Sequence, residues 1–232
     1  YEIHERLVGS EMCIRDSPES KFYKQLAAAY DKAGFHYMGM LQNGTFRLAT
    51  ANTNLEDLDA YKGLKIRTMS NKNHMAFWTA IGAEPTPLAF SELYFALQSG
   101  TVNAEENAAD TIVTMNFNEV QKFLAPTNHV LYTNQLAMNK KAYESLDPAY
   151  QKALNQAVSE ALKELAPKLG EIDKQNKETL EKKGMTIIKY DKSFYDQVLA
   201  LDSVKALYKD INSQINGIGD VLMQELDAAA KK

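Results

Sequence analysis

The feature that most constrains this chain is one very long helical run. From Pro148 to Lys183, Tyr150, Ala153, Leu154, Ala157, Ala161, Leu162 and Leu165 recur at three- and four-residue steps and mark one face. At 1.5 Å per residue such a helix is roughly 50 Å long, more than one small lobe requires. Pro167 lies inside it, where it removes a ladder donor and crowds the preceding turn, so a kink is expected there. Two arrangements fit: a strut carried across two lobes, or a surface helix with a bend.

Around this run, strand-like and helix-like segments alternate, which predicts an α/β fold. A helix is expected over 18–33, stopped by Gly34, followed by a strand over 35–41, an Asn43-Gly44 turn and a strand over 45–50. A short helical or turn segment over 54–61 precedes a strand over 64–69. Asn71 or Asn73 can cap a helix over 74–81 that Gly82 closes. Pro85 and Pro87 confine 83–88 to an extended edge or loop. Ser91 is read as the cap of a helix over 92–99 with Gly100 past its end. A short strand over 101–105, more helix over 111–124 closed by Pro126, and an apolar strand-like run over 129–138 come next. Beyond the long helix and Gly184, a strand is expected over 185–190 and mainly helix over 193–222, with a fraying tail.

Composition excludes several function classes. The 232 residues carry a net charge of −4, against the basic stripe that nucleic-acid binding needs. No apolar run approaches the roughly 20 residues that span a bilayer, so no direct membrane insertion is expected. Cys13 is the only cysteine, which leaves neither an internal disulfide nor a cysteine zinc site. Residues 1–17, YEIHERLVGSEMCIRDS, have no clean period and resemble a translated adapter; they are read as a non-native leader, and no signal peptide is visible.

Catalytic signatures are missing: there is no GxSxG, HExxH, P-loop or post-strand GxGxxG. The histidines at 4, 36, 74 and 129 have no metal-ligand spacing. Glu105-Glu106 is a poor acid–base pair, because adjacent strand residues point to opposite faces. No enzyme activity, cofactor or metal is expected. Arginine usage is the informative signal. Against 22 lysines there are four arginines, and outside the leader only Arg47 and Arg67, each inside an apolar strand candidate. A guanidinium offers a planar, permanently charged fork that grips a carboxylate through two bonds. Two forks at about 1.5–3 kcal/mol per charge-assisted bond supply much of the roughly 8 kcal/mol that micromolar binding needs. The competing reading pairs each arginine with a local carboxylate.

These residues carry a resemblance. Lys62 to Asn107, KGLKIRTMSNKNHMAFWTAIGAEPTPLAFSELYFALQSGTVNAEEN, and Asn118 to His129, NEVQKFLAPTNH, resemble the extracytoplasmic solute-binding proteins of TRAP (tripartite ATP-independent periplasmic) transporters, dicarboxylate-binding DctP type. The likeness extends from about Pro18 to the C-terminus. It implies a two-lobe periplasmic-binding-protein-like fold that closes on an organic acid, with the long bent helix running across both lobes. It implies that Arg67 pairs with the ligand carboxylate and Arg47 assists it. Phe90 then walls the pocket, Asn107 hydrogen-bonds the carboxylate, and His129 tunes or orients the site. Trp78 is read as core.

The chain departs from the family pattern where Asn103, Ala104 and Glu105 replace the usual Asp-Gly-Gln, and Glu105 brings a carboxylate that repels an acidic ligand unless it points away. The resemblance also implies an incomplete first lobe, from a truncated record. The expected division is 18–44 and 133–172 as the remnant of lobe 1, 45–132 and 173–200 as lobe 2, and 201–232 as a C-terminal helical segment. The expected function is capture of a small organic carboxylate outside the cytoplasm, by a monomer that delivers it to the membrane subunits of a TRAP transporter. The alternatives are a ligand-binding sensor domain for an organic acid, or an enzyme acting on one.

Overall fold

The computed structural model describes residues 20–41 and 45–229. The expected leader, the first two residues of the first expected helix, the Asn43-Gly44 turn and the last three residues lie outside them. In chain order the elements are α1 (Lys21–Lys32), β1 (Phe35–Leu41), β2 (Leu48–Ala51), β3 (Lys65–Thr68), α2 (Lys72–Ala80), β4 (Glu84–Pro87), α3 (Leu93–Ser99), β5 (Ala104–Asn107), α4 (Ala109–Thr114), β6 (Phe123–Ala125), β7 (Asn134–Asn139), α5 (Lys140–Glu144), α6 (Pro148–Lys182), β8 (Thr186–Ile187), α7 (Lys192–Ala200), α8 (Asp202–Gln214) and α9 (Ile218–Ala229). The fold is α/β and forms two units. One holds Phe46–Leu131 and Ile172–Ile211; the other holds the described residues up to Thr45, Tyr132–Glu171 and those from Asn212 onward. The long kinked helix α6, with Pro167 inside it, contributes to both. Segment 201–232 is divided between them, its residues to Ile211 in the first unit and the rest in the second.

The first unit is a six-stranded mixed sheet in the order β4-β3-β5-β2-β6-β8. Strand β2 is antiparallel to β5 and β6, and the remaining pairs are parallel. Pro85 and Pro87 sit in β4 at the edge, where a missing ladder donor costs least. Helices cover both faces. Ala49, Ala51, Ile66 and Ala104 pack against Phe77, Trp78, Phe194, Tyr195 and Val204, while Leu48 and Leu124 pack against Leu93, Leu97, Ile112, Phe117 and Leu180. Because strand side chains alternate, β2 and β6 each feed both cores. Asn71 caps α2 by accepting from the amides of Asn73 and His74, and left-handed Gly100 (φ 73°) closes α3.

In the second unit β1 and β7 form an antiparallel ribbon, with α1 and α9 in the same unit. The ladder slips between Tyr37 and Gly39, and Gly39 has φ +151° with Leu162 of α6 only 2.5 Å from where a Cβ would stand. Only glycine meets both demands.

Several expectations need correction. Ser91 caps nothing: Phe90–Glu92 forms a 3-10 turn and α3 begins at Leu93. The expected helix over 111–124 breaks at left-handed Asn116 and ends in β6, whose three residues are too short to show a period. Ladder pairing in β2 starts at Leu48, so Arg47 precedes the strand and its amide bonds Val130 O instead. Along α6 the half-buried stripe is Leu154, Val158, Leu162, Ala166 and Leu169, whereas Tyr150 and Leu165 are exposed.

Candidate functional site

The five residues singled out from the sequence, Arg47, Arg67, Phe90, Asn107 and His129, all belong to the first unit. Arg67 lies on β3, the strand next to edge strand β4, 3 % exposed, between buried Ile66 and Thr68. Its Nε and Nη2 both donate to the Leu88 carbonyl, at 3.1 and 2.9 Å. Among the described residues no carboxylate lies within ion-pairing distance of it. Phe90 stands beside it, its ring centroid 5.6 Å from Cζ, and is itself 40 % exposed. Burial pushes the Arg67 pKa down, while Glu105 and Glu106 pull it up.

Arg47 is in a different condition. Its Nε donates to Glu106 Oε2 at 2.5 Å, and its Nη2 to Glu106 Oε1 at 2.9 Å, to the Glu106 carbonyl at 2.7 Å and to Asn107 Oδ1 at 3.0 Å. The competing sequence reading, an arginine paired with a local carboxylate, describes Arg47 but not Arg67.

Glu106 is also reached by His129, whose Nε2 lies 3.1 Å from Oε2. The other ring nitrogen, Nδ1, lies 2.8 Å from Thr127 Oγ1. Burial pushes the His129 pKa down, against the pull of Glu106, so the ring is neutral near pH 7. A neutral ring then donates from Nε2 to the carboxylate and accepts from Thr127 at Nδ1. His74 Nδ1 stands 3.7 Å from Glu106 Oε1, within ion-pairing distance but beyond hydrogen-bond reach, and has no hydrogen-bond partner among the described residues. Burial works against charge on Glu106, but His129, His74 and Arg47 together outweigh it and hold the carboxyl ionised well below the usual range.

Asn107 links this cluster to a second one. While its Oδ1 accepts from Arg47, its Nδ2 donates to Glu105 Oε2 at 2.6 Å. Register places Glu105 opposite Thr50 and Arg67, and Glu106 opposite Ala49. The two carboxyls therefore face different layers, as alternation requires, and neither is exposed. A cavity of about 260 Å³ opens beside His74 and His129, walled by Asn71, Asn73, Phe77 and Tyr208, but Arg67, Phe90 and Asn107 do not line it. No group of side chains fit to hold a metal occurs among the described residues.

Sequence reasoning missed Glu106 as the anchor of Arg47, and it missed Thr50, Thr127 and His74. Two consecutive carboxylates were visible in the sequence, but that the strand holding them is buried throughout, so that both need partners, emerges only from the fold.

Comparison with known proteins adds the following. The model of the family described as bacterial extracellular solute-binding protein, family 7, matches residues 10–214, beginning inside the expected leader. A solute-binding protein of Verminephrobacter eiseniae is 34 % identical over 187 residues, which is 80 % of this chain and 55 % of that protein. The sialic acid-binding periplasmic protein SiaP of Vibrio cholerae is 32 % identical over 176 residues, 75 % of this chain and 52 % of that one. Among solved structures, a TRAP periplasmic solute-binding protein from Desulfovibrio salexigens with bound orotic acid superposes with a TM-score of 0.83 at 27 % identity, covering 96 % of this chain and 72 % of that one. The chain spans about half the length of the curated relatives it matches.

Proposed function

This chain belongs to the bacterial extracellular solute-binding proteins of family 7, and on that premise we propose that it captures a small organic carboxylate outside the cytoplasm and delivers it, as a monomer, to the membrane subunits of a TRAP-type transporter. Arg67 carries the reading. Its guanidinium is buried, held at one edge by the Leu88 carbonyl, and has no carboxylate partner among the described residues. A permanent charge in that state is costly unless an anion completes it.

Each residue then has its own task. Arg67 grips the ligand carboxylate through its remaining donors, and Phe90 forms the adjoining apolar wall. Asn107 turns its second amide proton to the ligand, because Arg47 and Glu105 fix the rest of that side chain. Arg47 acts by holding Glu106 and Asn107 in place, and His129 by orienting Glu106. Two charge-assisted bonds from Arg67 contribute roughly 3–6 kcal/mol. Micromolar affinity needs about 8 kcal/mol, so Asn107 and apolar contacts must supply the remainder. The orotic acid and sialic acid of the two relatives are both carboxylates, which suits this chemistry.

A thermal-shift screen of the intact protein tests the proposal, with orotate, sialic acid, succinate, L-malate and sugar acids against matched neutral sugars. At least one acid is expected to raise the melting temperature in a concentration-dependent way. If none does, the reading fails.

A further inference from the structure

Glu105 is fully buried and, among the described residues, has no ion-pair partner. Thr50 Oγ1 lies 2.9 Å from its Oε1, and Asn107 Nδ2 lies 2.6 Å from its Oε2. The same Thr50 hydroxyl also lies 3.3 Å from Gln121 Oε1. Gln121 is oriented by its Nε2, which donates to the Val120 carbonyl at 2.8 Å. Thr50 thus stands between two acceptors with one proton to give. With Glu105 ionised, one acceptor goes short. With Glu105 protonated, the carboxylic acid donates to Thr50 Oγ1, Thr50 donates to Gln121, and every group in the chain is satisfied. Asn107 donates to Oε2 in both states, so the amide facing the ligand does not move.

Charge around the site points the same way. Glu105 faces Arg67 from β3, Arg47 ahead of β2 and Glu106 on its own strand, with His129 and His74 beyond Glu106; its own hydrogen-bond partners are the neutral Thr50 and Asn107, with neutral Gln121 beyond Thr50. Arg47 and Glu106 cancel. A protonated Glu105 leaves Arg67 as one net positive charge, the complement of one carboxylate. An ionised Glu105 cancels that charge before any ligand arrives. Burial pushes Glu105 up to about 7, against the hydrogen bonds from Asn107 and Thr50, which places its titration near neutral pH.

We propose that Glu105 couples capture of the organic acid to uptake of one proton, so that this protein binds its ligand more tightly as the surroundings acidify. The acid enters as its carboxylate onto Arg67, and a proton passes from solvent to Glu105. No other bond forms or breaks. By linkage, the ligand favours the protonated carboxyl and the protonated carboxyl favours the ligand. The proposal rests on the reading of Arg67 as the carboxylate receptor.

The test is calorimetry on the intact protein with the strongest acid of the thermal-shift panel that is fully ionised throughout, at about pH 6 and about pH 8, in buffers of different protonation enthalpy. Affinity is expected to be roughly tenfold tighter at the lower pH, with buffer-dependent heats at the higher pH that report close to one proton taken up. Glu105→Gln, which keeps the shape of the side chain without a titrating group, is expected to remove both effects. Binding that ignores pH and buffer in the native protein overturns the proposal and leaves the receptor reading standing. A pH dependence that persists in Glu105→Gln also overturns it, since another group must then titrate. Absence of binding at both pH values overturns the receptor reading, and the proposal with it.

Discussion

Arg47 and Glu106 form a closed pair: the guanidinium meets both carboxylate oxygens, at 2.5 and 2.9 Å, and the Glu106 carbonyl at 2.7 Å. Twenty residues away in sequence, Arg67 meets one backbone carbonyl and no acid among the described residues. Two arginines that look alike along the chain thus carry different loads. One satisfies a buried carboxylate of its own protein, and the other keeps donors in reserve.

Removing Arg47 strands Glu106 as a buried, unpaired charge. Arg47→Met is expected to cost roughly 3–5 kcal/mol in urea unfolding of the ligand-free protein. Pairing it with Glu106→Met is expected to recover most of that loss. A single variant of native stability that loses only affinity means that Arg47 serves the ligand directly.

Arg67 calls for the opposite pattern. Arg67→Lys keeps the charge and loses the planar fork, so affinity for the best acid is expected to fall by more than about tenfold in calorimetry. The ligand-free melting temperature changes little by comparison. Near-native affinity removes Arg67 from the role given to it.

His129 is held neutral by burial against the pull of Glu106. In nitrogen NMR it is expected to show a neutral ring protonated at Nε2 at pH 6.5, where an unperturbed histidine is half charged. Detection of a charged ring there contradicts the hydrogen-bond order drawn through Thr127.

Glu105 also leaves a mark on stability without ligand. Its folded-state pKa is raised, from 4.5 to about 7, so the folded protein holds that proton more tightly than the unfolded chain does. The resulting stabilisation is full below 4.5, declines above it, and is lost as pH rises through about 7. Glu106 and His129 slope the other way, so the informative quantity is the difference between the native protein and Glu105→Gln in urea titrations. That difference is expected to move in favour of Glu105→Gln as pH rises across this window. A constant difference shows that Glu105 does not titrate there.

Much of this architecture was legible from local pattern. Helix α6 announced itself by length, β4 by its two prolines and β1 by its bounding Gly34 and turn, because these depend on neighbours in sequence. Arg47 and Arg67 stood out by type and setting, and Asn107 through the family resemblance. The pairing of Arg47 with Glu106 did not, since it spans 59 residues and arises only when β2 and β5 align antiparallel. The same register separates Glu105 from Glu106 and brings Thr50 to the former. The exposed side of α6 was misjudged because Tyr150 and Leu165 are apolar without being covered.

The most direct test of the central claim compares the best-bound acid with its own primary amide, by calorimetry on the intact protein. The amide keeps the shape and removes the negative charge that Arg67 is arranged to receive. The account predicts that the acid binds at least about a hundredfold more tightly, in keeping with the loss of two charge-assisted bonds. Equal affinity for acid and amide contradicts it.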